Sequence, residues 1–460
     1  KRNLCYLNMS KAICSEIAGM VWTDQCDVDV STAGYEDAET DPLHDFVQDV
    51  LRRNNFQVKM TESIEQAAAL GGQALKAWYE VKRDRDGNPV PDLSEIRIGY
   101  AMADQFVPIA WDNAKVTEGV FVSRIAKNGY YYTRLEWHRW NGTTYVITNE
   151  LYRSEMQKGT TPGETQDILG VRYPLAEIYP YIDEETEVPV TESLFTYWRT
   201  PIANNLDDNS PLGMSIYGNA LETLHALDIC YDSFVREFRL GKKRIIAPVR
   251  LMKQVGGLGG KLQRYFDADD EVYEALATDN PEDLKIVDNS VGLRVNEHIT
   301  GINGDLAILC SQIGFDPGTL SFDASKGLKT ATEVISENSK TFGTVKAHEN
   351  IIRDSLRQMV DAIFELAVHY GLTWEGKTIE SLIAGGYEVA VTFDDSIIED
   401  KNAEINQGIA LTGAGLMSKK RFLTDVLGMT EEDADKELEQ IGQERKVDSV
   451  EVTRLFGGME

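Results

Sequence analysis

The chain has 460 residues, 42% of them hydrophobic, which is enough for two or more domains with buried cores. Its 75 acidic and 46 basic side chains give a formal net charge of −29. That charge argues against nonspecific binding to nucleic acid and against attachment to an anionic membrane surface. The excess of carboxylates either only keeps the protein soluble or suits a protein that must touch DNA without holding it.

The cysteines form no Cys-x-x-Cys pair and have no histidine at metal-ligand spacing, so we expect reduced, mostly buried thiols in an intracellular setting. No apolar run approaches the roughly 18 to 20 residues that cross a bilayer, and Lys1 to Ser10 lacks the apolar part of a secretion signal. Because residue 1 is Lys rather than Met, we expect the natural protein to begin further upstream. The cysteines are Cys5, Cys14, Cys26, Cys230 and Cys310.

The first hundred residues or so predict an α+β unit. Apolar spacing predicts helices over Leu4–Val21 and from Leu43 to Leu51, joined by an acidic, turn-rich connection. A third helix is predicted over Ile64–Leu75, where Gly71-Gly72 permits close packing. Asp86-Gly87-Asn88-Pro89 predicts a turn between two strands.

An antiparallel meander is predicted from Val120 to Tyr152, where the pattern changes to period two. Asn128-Gly129 and Asn141-Gly142 are flanked by alternating β-formers, which is the strongest short-range signal of a hairpin. The aromatic side chains of this segment are expected to pack in the sheet rather than to form a ligand cage. They include Trp137, His138 and Trp140.

Helices dominate the second half. After a boundary at Ser210-Pro211-Leu212-Gly213, an apolar stripe from Tyr217 to Phe238 predicts a near-heptad helix that ends at Gly241. The stripe packs either within the subunit or against a neighbour. A second helix is predicted from about Asn296 to Ile313.

The longest helix is predicted after the glycine-punctuated loop from Gly314 to Gly327. It begins near Lys329 and Thr330, carries a stripe from Ile352 to Ala367, and at roughly 40 residues would span about 60 Å. A strand over Tyr387 to Phe393 and broken helix over Ile397 to Glu444 complete the chain.

Charge changes sign abruptly between the two shorter helices. A basic run without acidic residues is followed directly by an acidic one, from Asp267 to Asp283. This inversion indicates either a head-to-tail ring, in which the basic face of one subunit meets the acidic face of the next, or two solvated patches. The basic residues are Lys242, Lys243, Arg244, Arg250, Lys253, Lys261 and Arg264.

Two stretches only resemble catalytic sites. Val255 to Lys261 lacks the first glycine and the final Ser or Thr of a phosphate-binding loop, so a turn or loop is favoured. The acidic group Asp394, Asp395, Glu399 and Asp400 would hold a metal in a nuclease, but capping of a helix near Ser396 is favoured. The six histidines form no HExxH motif and no serine sits in a Gly-x-Ser-x-Gly elbow, so neither an enzyme nor a cofactor is predicted. The nuclease using Asp394, Asp395 and Asp400 remains the alternative of another class.

The ordered segments of the chain resemble the portal proteins of tailed bacteriophages, of the long-tailed siphophage branch. The similarity extends over nearly the whole chain and rests on the order and spacing of the segments rather than on one motif. The resembling segments are Leu7–Lys11, Glu16–Ala18, Leu70–Lys76, Ala103–Pro108, Ser210–Ser215, Gly314–Phe322, Lys329–Glu337 and Phe393–Ile398.

The resemblance implies an α+β portal fold, assembled as a ring, with four named parts. The wing comprises residues 1–213 together with a long helix and a returning strand at 330–396. The stem consists of two helices, at 214–241 and 295–314. The α/β clip lies at 242–294, and the helical crown at 397–460. A tunnel loop at 315–329 would approach DNA, with Phe322 at its apolar base and Lys326 and Lys329 in transient contact with phosphates.

The same resemblance implies a noncatalytic channel for double-stranded DNA at one capsid vertex, usually of twelve subunits, used in packaging and ejection. Its implied partners are the terminase large subunit, the head-to-tail adaptor, and the major capsid and scaffold proteins, with the basic residues of the clip in docking. No membrane is involved, and the protein would occupy the virion after assembly in the host cytoplasm. The alternative within this class is another head-tail connector or a minor capsid protein.

Overall fold

A computed structural model provides the fold, which mixes helices with sheets. It describes residues 3–32, 41–156 apart from 85, 87, 91–94 and 114, 169–241, 292–321, 339–394 and 408–426, with the short pieces 245–246, 253–256, 262–265, 287–288, 434 and 436–438. The helices are α1 Met9–Val21, α2 Pro42–Arg53, α3 Phe56–Leu70, α4 Leu221–Leu240, α5 Val295–Ile313, α6 Ser339–His369, α7 Ile379–Ile383 and α8 Lys419–Arg421, which continues as a π-helical turn over Phe422–Val426.

The strands form one six-stranded sheet, one three-stranded sheet and several two-stranded pairs. They are β1 Asp27–Thr32, β2 Gly72–Glu80, β3 Glu95–Met102, β4 Phe106–Asp112, β5 Lys115–Lys127, β6 Tyr130–Asn141, β7 Thr144–Glu155, β8 Val171–Tyr173, β9 Glu185–Val188, β10 Phe195–Arg199, β11 Ile245–Ile246, β12 Lys253–Gly256, β13 Leu262–Tyr265, β14 Val287–Asp288, β15 Thr373–Trp374, β16 Lys377–Thr378 and β17 Tyr387–Thr392.

The N-terminal helices differ from the prediction in three places. α1 begins at Met9 rather than Leu4, directly after the left-handed residue Asn8. The predicted acidic connection to α2 contains the strand β1, which pairs antiparallel with β17. The predicted helix over Ile64–Leu75 is wrong at both ends: α3 occupies Phe56–Leu70, and β2 begins at Gly72.

A close backbone approach explains why α3 ends where it does. Gly71 adopts the left-handed conformation at φ 93°, and a Cβ there would lie 2.4 Å from the carbonyl oxygen of Gly213. Gly72 is equally crowded, against the Tyr197 hydroxyl. These glycines therefore permit the close packing that the sequence predicts, but they end the helix instead of continuing it.

The six-stranded sheet contains the predicted meander, with order β4-β5-β6-β7-β8 and β9 paired to β7. The first hairpin turns at Asn128 and Gly129, both with positive φ, as a type I′ turn requires. The second hairpin turns one residue later than predicted. Asn141 still pairs with Thr144, so the turn residues are Gly142 and Thr143, of which only Gly142 has positive φ. The turn between β2 and β3 is also confirmed, by the bridge from Arg83 to Pro89.

α6 has more buried residues than any other helix that the structure describes. It packs against β2, β10, β17 and α1, and buries 15 of its 31 residues. At 1.5 Å rise per residue this part is about 46 Å long. The predicted stripe from Ile352 to Ala367 is confirmed as its buried face, whereas the predicted start near Lys329 and Thr330 lies outside the described residues.

The structure describes part of the predicted C-terminal helix. Residues 408–413 are helical and a turn follows through Gly415 at φ 71°, as the predicted break requires. The predicted break at Gly428 lies outside the described residues. In the part of the chain that the structure describes, no helix is both long and apolar enough to cross a membrane.

Candidate functional site

α4 and α5 form an antiparallel helix pair joined at one end by the Glu237–Arg294 ion pair. The Arg294 side chain donates two hydrogen bonds to the Glu237 carboxylate, at 3.1 and 2.9 Å, and its backbone N–H donates a third at 3.3 Å. These bonds, with a further contribution from His298, lower the pKa of Glu237 to about 2. The ion pair fixes the point at which the chain leaves α4 for residues 242–291 and returns to α5.

Most of the α4 surface is not buried within the subunit. Leu227 and Asp232 are its only buried residues, whereas α5 buries five. Large apolar side chains of the pair stay open to solvent, including Leu221 at 59% exposed and Phe238 at 43%. The predicted apolar stripe is therefore buried at Leu227, in its middle, and exposed at Leu221 and Phe238.

The predicted docking segment contains two short antiparallel strand pairs. β11 pairs with β14 directly beyond the helices, and β12 pairs with β13. Lys253 and Arg264 lie on that second pair, opposite Tyr265 and Gln254 in the register. Of the stretch predicted as a turn or loop, Val255 and Gly256 lie in β12, and residues 257–261 are outside the described residues. Outside the described residues lie Lys242, Lys243, Arg244, Arg250 and Lys261.

Hydrogen bonds join the end of α5 to the start of α6, and we call this group of Gly314, Asp316, Thr341 and Thr344 the loop clasp. Asp316 Oδ2 accepts from the Thr341 backbone N–H at 2.9 Å, and the Asp316 N–H donates to Thr341 Oγ1 at 2.9 Å. Thr344 Oγ1 donates to the Gly314 carbonyl at 2.6 Å. Phe315, fully buried, anchors the same point in the core.

The clasp sets the base of the predicted tunnel loop. Residues 322–338, which include Phe322, Lys326 and Lys329, lie outside the described residues. Their two flanks are nevertheless held side by side by the clasp. The intervening segment thus leaves and returns at one point, at the junction of α5 and α6.

The segment before α1 binds α4, which sequence reasoning missed. The Leu7 N–H donates to Asp228 at 2.9 Å and the Cys5 N–H donates to Asp232 at 3.2 Å. The two aspartates lie four residues apart and therefore share one helix face. The spacing alone could have placed the two aspartates on one helix face. No local sequence pattern identifies Cys5 and Leu7, more than 220 residues away, as their partners.

A buried ionic network connects the two larger sheets, and sequence reasoning missed it too. Glu136 of β6 accepts from Lys76 of β2 and from Arg134 at 2.6 Å, and it lies 3.1 Å from His138 Nε2. Burial raises the pKa of Glu136, but the surrounding cations outweigh it and hold that pKa well below its ordinary value. Burial lowers the pKa of Lys76 and of His138.

The network is a structural core feature. His138 also donates to or accepts from the Tyr145 hydroxyl at 2.8 Å, and its ring packs edge-on against Phe121 and Phe195. Arg139 lies over the Trp137 ring at 3.9 Å. The aromatic side chains of the meander therefore pack in the sheet, as predicted.

The acidic group considered for a metal is only partly described. Asp394 accepts a hydrogen bond from Thr23 at 3.0 Å, while Asp395, Glu399 and Asp400 lie outside the described residues. Among the residues that are described, no three His, Cys, Asp or Glu side chains come together as metal ligands. All five cysteines are free thiols, and Cys14, Cys26 and Cys310 are buried.

Comparison with known families gives a match over almost the entire chain. The matching model is that of a phage portal protein, described as SPP1 Gp6-like, and it covers residues 1–450. The chain belongs to this family of portal proteins.

Solved structures add a weaker similarity. A chain described as part of the neck of an empty GTA particle, computed with C6 symmetry, has 12% sequence identity and a TM-score of 0.45. The match covers 92% of this chain and 89% of that one. No curated protein matches.

Proposed function

We propose that copies of this chain close into a ring that conducts double-stranded DNA through a capsid vertex during packaging and ejection. Family membership supports a portal or connector role. By the resemblance the ring has twelve subunits. It docks the terminase large subunit and the head-to-tail adaptor and contacts major capsid and scaffold proteins. The protein is a structural component of the virion, assembled in the host cytoplasm, and not a catalyst.

The observation that carries the ring is the uncovered apolar surface of the α4–α5 pair. Ile229 of α4 and Ile308 of α5 are 47% and 54% exposed, in addition to Leu221 and Phe238. An amphipathic helix of a monomer normally buries its apolar stripe in its own core. A neighbouring copy would remove this surface from water.

The parts of the subunit follow from the resemblance and from the chain's course. We assign 1–213 and 330–396 to the wing, 214–241 and 295–314 to the stem, 242–294 to the clip and 397–460 to the crown. The Glu237–Arg294 ion pair would then mark the passage from stem to clip.

Electrostatics support passage rather than retention of DNA. Each phosphate that a protein neutralises adds salt-dependent affinity, which would resist sliding. A chain with net charge −29 offers few such contacts. We assign the transient contacts to Lys326 and Lys329 of the tunnel loop, whose base is the loop clasp.

Two measurements test this function. Negative-stain class averages with native mass spectrometry, with and without scaffold protein, should show a ring whose central hole admits a duplex. A folded protein that stays monomeric under all these conditions would refute the ring.

Packaging separates a portal from another connector. Replacing Lys326 and Lys329 by alanine should reduce packaged or retained DNA while leaving assembly unchanged. Wild-type packaging by this double variant would show that the lysines are bystanders. A ring that supports tail attachment but is dispensable for packaging would indicate another connector.

A further inference from the structure

The six-stranded sheet carries opposite charges at the two ends of one face. Along a single row across the strands, Arg124 pairs with Thr133, Thr133 with Tyr152, and Tyr152 with Arg172. Residues directly opposite each other in a sheet share a face, so Arg124 and Arg172 lie on the same one. We call these two residues the basic end.

The acidic end of that face lies on β9. Glu185 pairs with Thr148 and Glu187 pairs with Val146. Both partners are an even number of residues from Tyr152 on β7, which places the two glutamates on the face of the basic end. At about 3.4 Å per residue, the rows at Thr148 and Val146 lie about 14 and 20 Å along β7 from the row at Tyr152.

Neither end forms an ion pair with another residue of the described part of the chain. Arg124 and Arg172 are exposed and form no ion pair with a carboxylate of the described chain, and Glu185 and Glu187 are equally exposed and without a described cation. Arg139, the cation nearest to Glu187 on this face, lies over the Trp137 ring. Glu150 also lies on this face, two residues from Tyr152, so the two arginines of the basic end have one glutamate beside them and the two glutamates of the acidic end have Arg139 in their row. The two ends keep net charges of opposite sign.

Aromatic side chains accompany the basic end on the same face. Tyr152 lies in the row between Thr133 and Arg172, and Arg124 lies over the Tyr131 ring at 5.7 Å. Arginine and tyrosine are both enriched in the contact surfaces of protein interfaces.

We propose that the basic end of one copy binds the acidic end of the next copy of this chain, as the heterologous contact between neighbours. Two complementary patches at opposite ends of one face cannot meet within a subunit, but they meet head to tail between subunits. This contact rests on the proposed ring and gives it a specific pair of surfaces.

Charge reversal tests the contact. The variants are R124E/R172E and E185K/E187K, and the matched control is K377E/E388K, which reverses an exposed cation and an exposed carboxylate elsewhere. Sedimentation velocity at about 50 mM salt should show at least tenfold weaker self-association for each patch variant and no change for the control. An equimolar mixture of the two patch variants should associate again, as alternating copies.

A cysteine pair provides a second readout that does not depend on reversed charge. Mixing R172C with E187C under mild oxidation should give a crosslinked pair containing one of each, whereas either variant alone should give none. Circular dichroism and thermal melting verify that the variants fold.

The outcomes separate this contact from the ring itself. Rings of wild type that persist unchanged in both patch variants overturn the contact and leave the ring standing. Open filaments that dissolve on charge reversal support the contact and refute ring closure. Wild-type protein that remains monomeric at low salt overturns both.

Discussion

α6 and α4 are both long amphipathic helices, but α6 buries a much larger share of its residues within the subunit. α6 buries 15 of 31 residues against two sheets and the helices α1 and α7, whereas α4 buries two of 20. Apolar area removed from water is the main favourable term in folding. The comparison indicates that α6 holds the core of the subunit together, whereas α4 leaves apolar surface exposed that the proposed ring would cover.

Truncating one aromatic side chain on each helix would give the largest contrast. Phe364 of α6 is 1% exposed, so Phe364→Ala should lower the free energy of unfolding by about 3–5 kcal/mol. Phe238 of α4 is 43% exposed, so Phe238→Ala should lower it by less than about 1 kcal/mol while weakening assembly. Urea denaturation and sedimentation velocity measure the two effects. Equal destabilisation by both variants would contradict the comparison.

The buried network should be nearly as sensitive as the α6 core. Lys76→Ala leaves the buried Glu136 without one of its partners, and we expect a loss of about 3 kcal/mol of unfolding free energy. The control Lys59→Ala removes an exposed partner of Glu62 and should cost less than about 1 kcal/mol. Urea denaturation measures both, and similar losses would mean that the network is solvated.

His348 of α6 should make stability depend on pH. Burial lowers its pKa to about 4 from 6.5, so below pH 6.5 the unfolded chain binds a proton that the folded chain does not. Unfolding free energy should therefore fall as pH drops from about 6.5 to about 4, by about 3 kcal/mol in total. The difference between wild type and His348→Leu, measured by urea denaturation at several pH values, isolates this effect. A difference that is constant with pH would argue against a neutral buried imidazole.

The loop clasp should have the smallest effect. Asp316→Ala removes the carboxylate that accepts from Thr341 and should lower unfolding free energy by about 1 kcal/mol. Asp354→Ala, at a side chain 72% exposed on α6, is the control and should change it by less than about 0.5 kcal/mol. A clasp variant as stable as the control would show that core packing around Phe315 alone fixes this junction.

Local patterns predicted much of this fold because they depend on neighbours in the chain. The meander follows from period-two alternation and glycine turns, and the stripe of α6 follows from its 3.6-residue period. The helix predicted over Ile64–Leu75 failed because the contacts of Gly71 and Gly72 with distant Gly213 and Tyr197 override local preference.

The contacts of the buried network and of the segment before α1 could not be predicted from the sequence. Glu136 and His138 could be placed on one face of β6 from their spacing, but their contact with Lys76 depends on how two sheets meet. The same holds for the binding of the segment before α1 to Asp228. The resemblance identified the family, and most residues that it assigns to loop and clip lie outside the described part of the chain.

The loop clasp holds α5 and α6 together whatever the length of the segment between them. Because Gly314 and Thr344 are bonded directly, residues inserted between them need not push α5 away from α6. In general, doubling the length of the chain between two joined points adds only about 0.6 kcal/mol to the cost of closure. A reporter peptide inserted between Ser321 and Ser339 should therefore leave α5 and α6 in place.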